Sequence, residues 1–271
     1  MSGISDTGSP AEGEVPAPDR SEAGAATNVS GSTSVFTGIG QLCDTVVRLS
    51  GVDGAAIALL TRATGVRDLV YATDAVAQQV DELQFTLGEG PCLDAYHGHQ
   101  LEMLPDLEDA AVTDRWPMFA GEALEIGVRS LFAFPIAEGG NPLGVLELYR
   151  RTAGALENNE RDAAITIAAA AGSTVRRNWN AYLARADNAG GPAAAAENFS
   201  TAQVDSSDLF SRSHVYLASG MVAIQLQTSP AEALDRLRAY SYQHGRSIKD
   251  VSDDVVARRL NLRDQAEVED L

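Results

Sequence analysis

Between about residues 188 and 203 the chain stops reading as packed protein, and whatever folds must fold on either side of that break. Gly190-Gly191-Pro192 is followed by Ala193 to Ala196, a linker composition with no large apolar side chain to bury. The segments it separates differ in kind. Upstream, short apolar runs alternate with helical stripes. Downstream, every period is helical. One continuous sheet or one continuous bundle is therefore excluded, and two units of different class are expected.

Residues 1–34 are mostly Gly, Ser, Ala, Pro and acidic residues. Such a stretch cannot bury enough surface to offset chain entropy, so a disordered tail is expected. The expected organisation is then a first folded segment over 35–186, a linker over 187–204, a second folded segment over 205–264 and a short acidic tail over 265–271. No internal repeat is visible.

In the first segment Phe36, Ile39, Cys43, Val46 and Leu49 recur at helical spacing. Gly54 to Leu60 and Val66 to Ala72 flank Thr64-Gly65, a hairpin signal. Asp74 to Leu83 reads as helix, Leu101 to Leu104 as a short strand. Arg129 to Ile136 and Pro142 to Arg150 read as strands joined across Glu138-Gly139-Gly140-Asn141. The last strand is apolar on both of its faces. A long helix is expected from Asn158 or Asn159, good caps, with Ala164, Ile167, Ala168, Ala171, Val175, Trp179 and Tyr182 on one stripe. That stripe is longer than one domain face needs, and its small residues permit close helix approach, so a homodimer seam is expected. The competing reading is a helix whose first half simply packs on its own sheet.

In the second segment Ser229-Pro230-Ala231-Glu232 is a capping box with proline at the first helical position. Ser247 to Asp250 resembles a second cap. Stripes through Val215, Ala218 and Val222, through Ala233 and Leu237, and through Ile248, Val251 and Val255 predict three short helices, a small all-α bundle.

The net charge is −18, which argues against a general nucleic-acid or anionic-membrane coat. The charge is uneven. Residues 1–204 carry −15, residues 205–264 carry zero, and the last seven carry −3. The bundle therefore has basic residues to spare for one face, among them Arg236, Arg246, Lys249, Arg258, Arg259 and Arg263. Two cysteines, Cys43 and Cys92, cannot form a disulfide framework and fit a reducing cytoplasm. No signal peptide or membrane span is read.

Catalytic constellations are poor, and no enzyme is expected. There is no Gly-x-Ser-x-Gly elbow and no phosphate-cradling Gly-rich loop with lysine. Cys92, Asp94, His97 and His99 lie close in sequence, but their spacing matches no strong zinc pattern, so no metal is assigned. Cys92 follows Gly88-Glu89-Gly90-Pro91 at a helix start, where a thiol pKa can fall. The alternative is a small buried apolar residue.

Leu87-Gly88-Glu89-Gly90-Pro91-Cys92-Leu93-Asp94-Ala95, Asp114-Arg115-Trp116-Pro117, and Gly127 to Ser130 running on to Phe134-Pro135-Ile136 together resemble the GAF sensor domains of actinobacterial GAF-ANTAR regulators. The resemblance spans about residues 40–180. Ala218-Ser219-Gly220, Ala233, Leu237-Arg238, Tyr240-Ser241, Ile248 to Val251 and Val255-Val256 resemble an ANTAR domain over about 205–260. The fold this implies is an α+β sensor domain, a GAF/PAS-like antiparallel sheet flanked by helices, followed by a three-helix ANTAR bundle. The implied partners are a small-molecule or protein signal at the sensor and a two-hairpin leader RNA at the output, where the family antagonises transcription termination. The implied RNA-binding residues are Ala218, Ser219, Gly220, Arg238, Tyr240, Arg246 and Lys249. The implied sensor pocket is lined by Leu87, Cys92, Trp116, Phe119 and Phe132, with no ligand or cofactor identified.

The ANTAR segment departs from the family pattern. The family usually has Ala-Lys-Gly where this chain has Ala218-Ser219-Gly220, and an arginine where it has Gln225. Two absent cations per protomer weaken phosphate neutralisation and flatten its salt dependence. Two readings follow. One is a cytoplasmic, signal-responsive antitermination regulator with an altered RNA contact surface. The other is a dimeric sensor and protein-interaction module whose bundle has lost RNA binding.

Overall fold

The computed structural model describes residues 35–60, 66–189 and 212–263. The expected N-terminal tail, the hairpin turn at Thr64-Gly65, the Gly190-Gly191-Pro192 break and the acidic C-terminal tail lie outside the described residues. So does the side chain of Tyr182.

The first part is a five-stranded antiparallel sheet in the order β2-β1-β5-β4-β3. Its strands are β1 (Gly54–Leu60), β2 (Arg67–Ala72), β3 (Glu102–Leu104), β4 (Ser130–Glu138) and β5 (Asn141–Arg150). The strand that reads apolar on both faces, β5, lies in the middle. Leu146 and Leu148 face a core shared with helices α1 (Ile39–Ser50) and α6 (Asn158–Ala189). Tyr149 faces the opposite core. That second side is covered by α2 (Ala75–Leu87), α3 (Pro91–Gly98), α4 (Ala110–Arg115) and α5 (Pro117–Glu125). The alternation of side chains along each strand is what sorts residues between the two layers.

Local chemistry fixes the ends. Asp74 caps α2 by accepting from the backbone N–H groups of Val76 and Ala77. The helix runs to Leu87, four residues beyond the sequence expectation, and stops where Gly88 turns left-handed at φ 70°. The short helices α4 and α5 were not expected from the sequence. They meet at Trp116, with Pro117 opening the second.

Where β1 and β5 pair, Gly144 lies opposite Leu59. A Cβ there would collide with the Ala58 carbonyl oxygen, a backbone atom that cannot swing aside. Gly144→Ala is expected to lower the free energy of unfolding by about 1–3 kcal/mol, as overpacking does. A urea titration of the variant beside the wild type measures it.

The first half of the α6 stripe, Ala164, Ile167, Ala168 and Ala171, is buried on the sheet. Further along, Trp179 and Leu183 are exposed. The helix thus outruns its own domain.

The second part is three helices, α7 (Ser213–Leu226), α8 (Pro230–Gln243) and α9 (Ile248–Val256). Ser229 and Ser247 cap α8 and α9, each accepting from the backbone N–H three residues on. Val215, Ala218, Val222, Ala233, Leu237, Ile248, Val251 and Val255 form the bundle core. Phe85, from α2 of the first part, belongs to the same apolar cluster. The bundle is therefore packed on the α+β part through α2.

Candidate functional site

The five residues expected to line a sensor pocket do not surround one space. Leu87, Trp116 and Phe119 pack on the α2–α5 side of the sheet. Cys92 joins a small cluster with Ala58, Ala95, Tyr96, Ala133 and Val145. Phe132 points to the other face, toward α1 and α6, because it alternates along β4 with Leu131 and Ala133. Cys92, Phe119 and Phe132 are completely buried and serve as core. A void of about 10 Å³ remains beside Ala56, Ala77, Val80, Leu131, Glu147 and Tyr149, the size of a single water at most.

The glycine-rich turn before α3 has a structural task. Gly90 sits at φ 127°, and a Cβ there would press on the Gln84 side chain. Glu89 accepts from the backbone N–H groups of Met118 and Phe119, capping α5. Burial pushes the Cys92 thiol well above its ordinary value, with Arg67 opposing. Burial thus works against any thiolate-favouring effect of the helix start.

Next to Cys92 lies a cluster of buried polar groups that sequence reasoning missed. Arg67 on β2, Asp81 and Gln84 on α2 and Glu147 on β5 are all buried. Arg67 Nη2 lies 2.5 Å from Asp81 Oδ1 and 3.9 Å from Glu147. Gln84 Nε2 donates to both Glu147 oxygens, at 2.7 and 2.9 Å, and Gln84 Oε1 accepts from the Cys92 N–H at 2.8 Å. Arg67 Nε and Nη1 have no hydrogen-bond partner. Burial raises the Glu147 carboxyl to about 7, with Arg67 and Gln84 offsetting part of the effect. Burial acts on Asp81 in the same direction, but Arg212 and Arg67 together hold it below its ordinary value.

Arg212 comes from the helical bundle, where it precedes α7. Its guanidinium is 6% exposed and lies 3.8 Å over the Phe85 ring. Its Nη2 donates to Asp81 Oδ2 at 2.5 Å and to Glu82 Oε2 at 3.1 Å, and its Nη1 donates to the Arg67 carbonyl at 3.3 Å. One turn on, Tyr216 makes a reciprocal pair. The Arg67 N–H donates to its hydroxyl oxygen at 2.5 Å, and the hydroxyl donates to the Arg67 carbonyl at 2.9 Å. Arg238 on α8 donates through Nε to the Phe85 carbonyl at 2.8 Å and lies against Gly88. Two arginines and a tyrosine of the bundle thus grip α2 and the start of β2.

The other residues read as RNA contacts are spread over the bundle. Ala218 is core and Ser219 is buried, bonded to the Tyr216 carbonyl. Gly220 has open space where a side chain would be. Tyr240 stacks on His244 with ring centroids 3.9 Å apart. Arg246 and Lys249 are exposed but paired, the first with Asp254 at 2.6 Å and the second with Asp253 at 3.4 Å. Asp254 also holds Arg259. Asp253 and Asp254 of α9 therefore sit among the basic residues on and flanking that helix.

Among the described residues no helix is long and apolar enough to cross a membrane, and no group of three or more acidic, histidine or cysteine residues is arranged to hold a metal. The chain matches the GAF domain family over residues 39–176 and the ANTAR domain family over residues 206–256. Similar solved structures include the GAF domain of an Acinetobacter phosphoenolpyruvate-protein phosphotransferase (17% identity, covering 54% of this chain and 84% of that one, TM-score 0.43). Another is a Synechocystis GAF domain in its photoproduct state (18%, 56% and 98%, 0.43). A third is a type II free methionine-R-sulfoxide reductase from Thermoplasma acidophilum (14%, 53% and 93%, 0.39). A search of curated proteins found no match. With a GAF match over half its length and an ANTAR match behind it, the chain belongs to the GAF family and is a signal-sensing regulator with an ANTAR output domain.

Proposed function

We propose that this regulator binds a two-hairpin leader RNA through its ANTAR bundle and antagonises transcription termination, working in the cytoplasm as a homodimer and by binding rather than catalysis. The sensor controls the output by holding it. The observation that carries this reading is the position of Arg238. This cation, assigned to RNA by resemblance, instead donates to the Phe85 carbonyl of the sensor and lies against Gly88. RNA and sensor then compete for one residue, which undocking leaves paired only with the exposed Asp235 of its own helix. Arg212, paired with Asp81 and Glu82, is the tether whose loss undocks the bundle. Each cation returned to the RNA face adds a phosphate contact and steepens the salt dependence.

A second reading is supported by α9. Asp253 and Asp254 neutralise Arg246, Lys249 and Arg259, as suits a bundle that grips protein and no longer RNA.

Binding of the full chain to a synthetic two-hairpin RNA across a salt series separates the readings. Arg212→Ala is expected to bind about tenfold tighter than wild type at low salt, a difference of about 1.4 kcal/mol. Arg246→Ala with Lys249→Ala, made in the Arg212→Ala background, is expected to weaken binding and flatten the slope. Absence of binding by folded Arg212→Ala protein at low salt sinks the RNA reading and leaves the protein-interaction module.

A further inference from the structure

The surroundings of Arg212 form a receptor. Its guanidinium has an aromatic face below it, Phe85, and two carboxylates, Asp81 and Glu82, on one nitrogen. The Arg67 carbonyl accepts from the other. Charge, in-plane donors and a π face are the three features that distinguish a guanidinium from a compact ammonium. Asp81 divides its oxygens, giving Oδ1 to Arg67 and Oδ2 to Arg212. Without Arg212, Asp81 keeps Arg67 on Oδ1 but Oδ2 loses its charged donor, a deficit that a fitting cation relieves. The outer rim opens to solvent, since the Glu82 side chain is 45% exposed. Arg212 itself precedes the helix, at φ −96° and ψ 17°, with no side-chain cap hydrogen bond. Its side chain is committed to the sensor and not to its own helix.

We propose that the sensor domain carries a guanidinium-binding site built from Asp81, Glu82, Phe85 and the Arg67 carbonyl, that Arg212 fills it as a tethered ligand, and that a free guanidinium-bearing small molecule takes its place and releases the output bundle. This identifies the chemical class of the signal. It stands on the docked bundle and is independent of what the bundle binds once released.

The test uses the full chain, labelled for residue-resolved spectra, with methylguanidinium chloride as probe and sodium chloride matching the ionic strength. In Arg212→Ala the site is vacant, and the Asp81 to Phe85 amides are expected to shift saturably. In wild type the tethered arginine competes at high effective concentration, so about tenfold or more additional probe is needed. At saturation the Tyr216 and Arg238 contacts are lost there too. Methylammonium is expected to bind at least about tenfold more weakly, for want of planar donors. Arg212→Gln, which keeps most of the stem, provides a second chain, and Phe85→Leu in either background weakens the response. No saturable shift in Arg212→Ala or Arg212→Gln overturns the proposal. Equal response to methylammonium, or shifts that Phe85→Leu leaves unchanged, also overturns it. None of these readouts contains RNA, so failure here leaves the antitermination reading standing, and failure to bind RNA leaves this site standing.

Discussion

Asp81→Asn is expected to lower the free energy of unfolding of the sensor by about 3–5 kcal/mol, the cost of breaking a buried ion pair from one side. Asp81 is fully buried and is the shared partner of two buried arginines, Arg67 and Arg212. Removing its charge leaves both cations desolvated, and Arg67 already has two nitrogens without a hydrogen-bond partner. Arg212→Ala is expected to cost far less, because the Arg67–Asp81 pair remains intact. Denaturant titrations of the two variants give the comparison. A small loss in Asp81→Asn would mean that water reaches the cluster and that the charges are not held as described.

The second large effect concerns pH. Glu147 titrates near 7 in the folded protein against an ordinary 4.5, chiefly because burial disfavours its charge. For an acid whose folded pKa is raised, the unfolded chain releases its proton first. Between about pH 4.5 and 7 folding therefore takes up a proton, and stability falls as pH rises through that window. Above it the penalty is complete, about 3 kcal/mol at 1.4 kcal/mol per pH unit. Glu147→Gln stays neutral throughout and keeps an acceptor for Gln84. It is expected to stabilise the protein by up to about 3 kcal/mol at pH 8 and by little at pH 4.5, removing that slope. Asp81 acts with the opposite sign. Its folded pKa lies below the ordinary 3.8, despite burial, because of Arg212 and Arg67. The stability it contributes is present above that range and is lost in stronger acid. The two windows do not overlap, so unfolding curves across pH resolve them.

Much of the fold was legible because it rests on periodicity and caps. The β5 run Leu143 to Leu148 reads as apolar on both faces, and that strand lies in the middle of the sheet. Ser229 and Ser247 announce their helices, and each accepts from the backbone N–H three residues on, while the Glu232 carboxylate accepts from the Thr228 hydroxyl. Helices α4 and α5 were missed because six and nine residues, split at Trp116, show too little of a stripe. The buried ion cluster was missed for a different reason. Its members, Arg67, Asp81 and Glu147, come from three elements and mean nothing one at a time. One signal was present. Glu147 interrupts the strand that reads as doubly buried, and a charge in such a strand must find a partner. Arg238 was assigned to RNA by resemblance; in the structure its Nε donates to the Phe85 carbonyl, and sequence cannot distinguish a phosphate from a backbone carbonyl of the same chain. The pocket residues came from the family resemblance, which does not assign sheet faces, and strand alternation sends Phe132 to the far face.

Whether the ANTAR bundle rests on the sensor in the free protein is reported directly by the amide of Arg67. Its N–H donates to the Tyr216 hydroxyl, a residue of the bundle. Residue-resolved hydrogen exchange in the full chain is the measurement, comparing wild type with Tyr216→Phe. The predicted result is a protected Arg67 amide in wild type and rapid exchange in Tyr216→Phe, with Leu146 in the central strand slow in both. Equal exchange at Arg67 in the two proteins would contradict the docked state and everything argued from it.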